Sequence, residues 1–225
     1  MNHLHNEIKK LKESLIEMLE LIRNQVEKSN QSLVKFDKNL AREVVFNEKR
    51  VNAFELKIDK DCESIFALFN PVANDLRFVL STLKCNSNLE RMGDNAEGIA
   101  GFVLELEEPF NSELMEELQI QEMTSICKNM IDNIILAYDN DDTASARLLF
   151  EKDEELNILN NKASKIIAKQ ILLQPEKIDN LLRLLILVRK IERTGDLIKS
   201  MAEEIIFYVE AKVIRHGKNT LRDIN

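Results

Sequence analysis

The pentapeptide Glu90-Arg91-Met92-Gly93-Asp94 returns as Glu192-Arg193-Thr194-Gly195-Asp196, 102 residues later, with four of five positions identical. Two other landmarks return at nearly the same interval. Asn70-Pro71 is answered by Gln174-Pro175 at 104 residues, and Glu48-Lys49-Arg50-Val51-Asn52 by Asp153-Glu154-Glu155-Leu156-Asn157 at 105. A near-constant offset over three separate landmarks means that one structural plan is used twice. The chain has only 5 Gly and 3 Pro in 225 residues, too few breakers for a sheet-rich fold, while 44% hydrophobic and 31% charged residues with no Trp suit long amphipathic helices. The prediction is an all-α protein made of two tandem three-helix bundles, residues 1–108 and 109–225, related by this internal repeat.

Apolar periodicity places six helices at Asn6–Val34, Asp37–Phe69, Pro71–Glu107, Ser112–Tyr138, Asp142–Leu173 and Glu176–Arg215. Pro71 and Pro175 suit a first helical turn, where the missing N–H is not needed. Asp37 and Asp142 are placed to cap the helices that follow them. The segment from Glu107 to Ser112, containing Pro109, divides three helices from three.

A net charge of −8 opposes binding to nucleic acid, and the one basic cluster, Lys212, Arg215, Lys218 and Arg222, reads as a solvated tail. Cys62, Cys85 and Cys127 are widely spaced, which suggests neither a disulfide framework nor a zinc knuckle and fits a reducing compartment. The first six residues lack the apolar run of a signal peptide, and the apolar stretch from Leu181 to Val188 is interrupted by Arg183. A soluble cytoplasmic protein is expected.

Charge placement along the helices is the feature that points to chemistry. In the third helix, positions spaced alternately four and three apart read Leu76, Leu80, Leu83, Ser87, Glu90, Asp94 and Glu97, so a stripe read as facing the core turns acidic. The sixth helix does the same through Leu181, Leu185, Val188, Glu192 and Asp196, with Glu203 three turns beyond Glu192. The second helix supplies Glu48, Asn52, Glu55 and Asp59, and the fifth Asp153, Asn157 and Asn160. Acids converging between helices repel one another and lose hydration, so something must neutralise them. Gly93 and Gly195, each unfavourable by about 1 kcal/mol relative to Ala in a helix interior, imply close approach of a neighbouring helix.

One isolated Glu-x-x-x-Asp pair is usually a solvated face bonded to lysines. Its duplication, with a glycine and a partner stripe, favours hard metal ions held by carboxylate and amide oxygens. The alternative is neutralisation by Arg91 and Arg193 reaching an adjacent helix. Histidine is confined to His3, His5 and His216, which argues against a carboxylate-bridged dimetal oxidase, a site that normally recruits Glu-x-x-His pairs. A metal-free structural dimerisation module is the third possibility. No phosphate-cradling glycine loop or nucleophile elbow is present.

The segments Leu68-Phe69-Asn70-Pro71-Val72-Ala73-Asn74-Asp75-Leu76-Arg77 and Leu89-Glu90-Arg91-Met92-Gly93-Asp94-Asn95-Ala96-Glu97-Gly98-Ile99-Ala100 resemble the two signature stretches of the PhoU family of phosphate-uptake regulators. Ile191-Glu192-Arg193-Thr194-Gly195-Asp196, followed by Met201-Ala202-Glu203-Glu204, is similar to that family's second repeat, so the likeness runs through both halves in order. The resemblance implies a non-enzymatic protein binding multinuclear clusters of divalent or trivalent metal, with iron, zinc, manganese and magnesium as candidates. The implied ligands are Glu48, Asn52, Glu55, Asp59, Glu90, Asp94, Glu97, Asp153, Asn157, Glu192, Asp196 and Glu203. It also implies negative control of phosphate uptake through contact with a phosphate transporter and a phosphate-sensing histidine kinase at the inner membrane face, the protein acting as a homodimer. The sequence departs from the family pattern at Asn52 and Asn157, where Asp is usual, at Gly98 and Ser200, where Asn is usual, and at Leu197, where His is usual.

Overall fold

A computed structural model describes residues 2–214, and they form seven α-helices: α1 (Asn2–Lys35), α2 (Lys38–Phe69), α3 (Ala73–Glu105), α4 (Ser112–Glu117), α5 (Ile120–Asn140), α6 (Thr143–Leu173) and α7 (Ile178–Glu210). The repeat is visible in the backbone itself. Phe36 and Asp141 both turn the chain with φ of 53°, and each is followed by a capping aspartate. Asp37 accepts from the Asn39 and Leu40 N–H groups, and Asp142 from those of Ala144 and Ser145, so four otherwise orphaned donors are satisfied. The second junctions differ from expectation. Pro71 lies ahead of α3, and Pro175 opens a 3-10 turn, Pro175–Lys177, rather than an α-helix. Of the C-terminal basic cluster, Lys212 is described and exposed, whereas Arg215, Lys218 and Arg222 lie outside the described residues, as does the predicted end of the last helix at Arg215.

The single helix predicted over Ser112–Tyr138 is broken at Gln119, whose φ is 56°. Leu118 and Ile120 flank the break and are both buried. In a continuous helix they would point about 160° apart, so one would face water. The left-handed residue between them turns both inward.

Helices α2, α3, α7 and α6 lie side by side in that order, and α1 and α5 pack behind them, each against its own bundle and against the other. The bundles therefore meet through repeat-equivalent helices, α3 with α7 and α1 with α5. Lys84 pairs with Glu204 at 3.0 Å and Arg183 with Glu105 at 2.6 Å, which makes α3 and α7 antiparallel. The buried apolar residues of the two bundles form one contiguous cluster. Ala96 and Ile99 of α3 meet Ile191 of α7 and Cys127 of α5 near its middle. At one end Phe78, Tyr138 and Tyr208 stack, with the Phe78 and Tyr208 rings edge to face at 5.4 Å. The Tyr208 hydroxyl donates to Asp141 at 2.6 Å. The three cysteines are free and buried.

Because α3 has neighbours on three sides, its buried stripe is Phe78, Thr82, Cys85, Leu89, Met92, Ala96, Ile99 and Val103, and Leu76 and Leu80 are exposed instead. Close packing on three sides selects the small residues Thr82, Cys85, Gly93 and Ala96, which disguised the core stripe in the sequence. Small residues also set a stability contrast. A Cβ on Gly195 would collide with Leu156 Cδ1, whereas one on Gly101 would meet nothing within 4 Å. In urea titrations Gly195→Ala should destabilise by about 1–3 kcal/mol through overpacking, and Gly101→Ala should stabilise by about 0.5–1 kcal/mol through helix propensity. Equal effects of the two would refute this packing.

Candidate metal centre

In the first bundle α2 and α3 bring Glu48 to the same seam as Glu90, Asp94 and Glu97. Glu48 is only 5% exposed, and neither carboxylate oxygen has a hydrogen-bond partner. Gly93 makes room for it: a Cβ there would stand 3.3 Å from Glu48 Oε2 and 3.0 Å from Val51 Cγ1. Burial, and then the charges of Glu97, Asp94 and Glu90, push the Glu48 carboxyl up to about 7. Glu90 is raised by burial and by Asp94 and Glu55, and Glu55 by burial and by Asp59 and Asp94. The Asn86 amide donates to the Glu55 carbonyl at 2.9 Å and to Asp59 at 2.8 Å, holding Asp59 beside α3. Asn52 is exposed.

The second bundle repeats the layout with a different solution. Asp153, 1% exposed, accepts from Lys199 Nζ at 2.6 Å and from the Asn157 amide at 3.4 Å through Oδ2, and its Oδ1 has no partner. Burial opposes the Lys199 ammonium, but Asp153, Asp196 and Glu203 more than offset it and its pKa is raised. Glu192 is raised by burial, Asp196 and Asp153, against which Arg193 and the Asn160 amide work. Asp196 is raised by burial and Asp153, with Lys199 opposing.

The sequence-predicted acids thus gather into two clusters, but they do not all face the core. Glu48 and Asp153 are buried, Glu55, Glu90, Glu97, Glu192 and Glu203 are half-buried, and Asp94 and Asp196 are exposed. A helix with neighbours on three sides turns its fourth to solvent, and the acids sit at that boundary. Among the described residues no three His, Cys, Asp or Glu side chains converge on one point as a ready chelate. What fits a hard cation is the donor set itself, all oxygen, and above all the two orphaned oxygens of Glu48. Neither Arg91 nor Arg193 closes an ion pair among the described residues; their charges act on Glu90, Glu192 and Asp196 from farther off, and in the second bundle a lysine makes the direct contact. Lys190 was not foreseen. Its side chain crosses from α7 over Gly98, where Asp94 and Glu97 attract it while burial lowers its pKa. Helical spacing within one bundle cannot reveal a residue arriving from the other.

Fold and site define a class: paired three-helix bundles, each setting a Glu-x-x-Gly-Asp turn of its third helix against a buried acid of its second. A model of the PhoU domain matches the chain twice, over residues 15–103 and 120–205. The chain belongs to the PhoU family. It is 31% identical over 214 residues to a phosphate-specific transport system accessory protein PhoU homolog of Aquifex aeolicus, covering 95% of this chain and 96% of the relative. The crystal structure of PhoU from Pseudomonas aeruginosa superposes with a TM-score of 0.87 at 25% identity, covering 93% of this chain and 100% of the other. For the phosphate transport system regulatory protein PhoU from Streptococcus pneumoniae the TM-score is 0.84 at 26% identity, covering 94% and 99%.

Proposed function

We propose that this chain is a non-enzymatic accessory protein that restrains phosphate uptake, contacting a phosphate transporter and its sensor histidine kinase as a homodimer on the cytoplasmic side. Relatives aligned along almost their whole length carry the names of transport accessory proteins, which supports the role. No helix among the described residues is long and apolar enough to cross a membrane, in keeping with an adaptor rather than a carrier. The same reading includes a hard, oxygen-preferring metal ion or cluster in the first bundle. Glu48, Glu90, Asp94 and Glu97 would hold it, with Glu55 and Asp59 beside them, and Glu48 is the observation that carries this part. Bound there, the cation would supply positive charge that ties α2 to α3 and stiffens the bundle; no bond-making chemistry is assigned to it. The lack of any histidine between residues 6 and 215 weighs against an oxidase.

Deleting the gene should raise expression of phosphate-acquisition genes in phosphate-rich medium, and a plasmid copy should restore repression. Unchanged expression on deletion would remove the regulatory role. Elemental analysis of the purified protein separates the metal-binding adaptor from a metal-free dimerisation module.

A further inference from the structure

Glu97 and Lys199 occupy the same place in the two copies of the repeat, 102 residues apart, the offset that also relates Glu90 to Glu192 and Gly93 to Gly195. Glu48 and Asp153, 105 apart, are likewise equivalent, at the offset that relates the two capping aspartates. Each bundle therefore sets one buried carboxylate of its second helix near one long side chain of its third. In the second bundle that side chain is a lysine, and its ammonium lies 2.6 Å from Asp153. In the first it is a glutamate, and Glu48 is left with two buried oxygens and no partner.

We propose that the Lys199 ammonium stands in for the metal ion in the second bundle, so that the chain holds its cation in the first bundle alone and the charge of one repeat-equivalent residue decides which bundle binds. The proposal rests on the metal reading of the first bundle and adds to it a rule for where metal does not go.

The charges support this directly. Glu48, Glu90, Asp94 and Glu97 bring four negative charges to the first seam; Asp153, Glu192, Asp196 and Glu203 bring four to the second, where Lys199 cancels one by direct contact with Asp153. Cation affinity of oxygen sites rises with the number of charged ligands. A cation entering the second bundle would also have to displace a tethered ammonium that already donates to the most buried carboxylate. A lysine fixed by its own helix competes at any metal concentration. Lys190, which Asp94 and Glu97 attract, does not play this part for Glu48: it closes no ion pair among the described residues and lies over Gly98, and both Glu48 oxygens remain without a partner.

Charge exchange at the two positions tests the rule. The parent, Glu97→Lys, Lys199→Glu and the double exchange would be dialysed identically, loaded with Mn²⁺ alone and analysed for bound manganese. Circular dichroism would confirm helix content. Glu97→Lys should lose nearly all tightly held Mn²⁺, and Lys199→Glu should hold about twice the parental amount. The double exchange should match the parent in amount but lose its metal on Glu192→Ala with Asp196→Ala rather than on Glu90→Ala with Asp94→Ala. Lys199→Met, which removes the charge while keeping length, should also gain metal and decides the question if Lys199→Glu does not fold. Metal retained by Glu97→Lys, no gain in either Lys199 variant, or a second-bundle share in the parent would each overturn the proposal. A parent without metal would overturn the first-bundle reading and with it the placement of the cation there, and a Lys199 variant that then bound metal would leave standing only the part that the ammonium blocks the second bundle.

Discussion

Glu90→Ala combined with Asp94→Ala should strip most of the tightly bound metal and lower the melting temperature of the metal-loaded protein by roughly 5–10 °C. A ligand present at a hundred times its dissociation constant stabilises the fold by about 2.7 kcal/mol, and a domain of this size moves by about 2–4 °C per kcal/mol. The same double variant in chelator should melt no lower than the chelated parent. Two of the charges that destabilise the ionised Glu48 are then gone. Loss of melting temperature that persists in chelator would mean that the acids support the helix packing itself. The matching change, Glu192→Ala with Asp196→Ala, should leave metal content nearly intact, and an equal or larger loss would refute the ranking of the bundles.

The pH dependence of the metal-free protein should run opposite to that of a protein held by salt bridges. Glu48 titrates near 4.5 when the chain is unfolded and near 7 in the fold. Unfolding between those values releases a proton, so its contribution is fully present below pH 4.5 and is lost as the pH rises through 7. The loss is on the order of 3 kcal/mol. Glu55, Glu90, Glu192 and Asp196 are raised too and act with the same sign. Urea denaturation in chelator should therefore give higher stability at pH 5 than at pH 8, and Glu48→Gln should remove most of the difference. Adding Mn²⁺ should restore stability preferentially at pH 8, because the cation binds the ionised carboxylates. A chelated parent equally stable at both pH values, or a Glu48→Gln variant that keeps the full slope, would rule out a buried, unpartnered Glu48.

Much of this fold is legible in the sequence. The repeat offsets fixed the number of bundles, and the capping roles of Asp37 and Asp142 followed from their chemistry alone. The break at Gln119 was present as a phase jump, since Leu114, Leu118 and Ile120, Met123, Cys127 cannot share one helical stripe. The core face of α3 was harder, because tight packing replaced leucines by Thr82, Cys85 and Ala96 while leaving Leu76 and Leu80 exposed. The acids were found by spacing, but their burial was not. That Glu48 and Asp153 are buried while Asp94 and Asp196 meet solvent depends on the neighbours of α3 and α7 across the bundle boundary. The pairing of repeat-equivalent helices is a tertiary choice that periodicity does not encode.

That pairing has a consequence for how unequal halves can arise. Two free copies of a three-helix unit docked through the same faces would form an isologous dimer, in which any substitution appears twice. Such a dimer could carry a glutamate at both sites or a lysine at both, never one of each. Within one polypeptide that constraint is absent, and positions 97 and 199 differ accordingly: the second half pairs Asp153 with the Lys199 ammonium, while the first has Glu97 at that position and leaves Glu48 without a partner. The seam between α3 and α7 thus has the form of a symmetric contact within a molecule whose two halves differ.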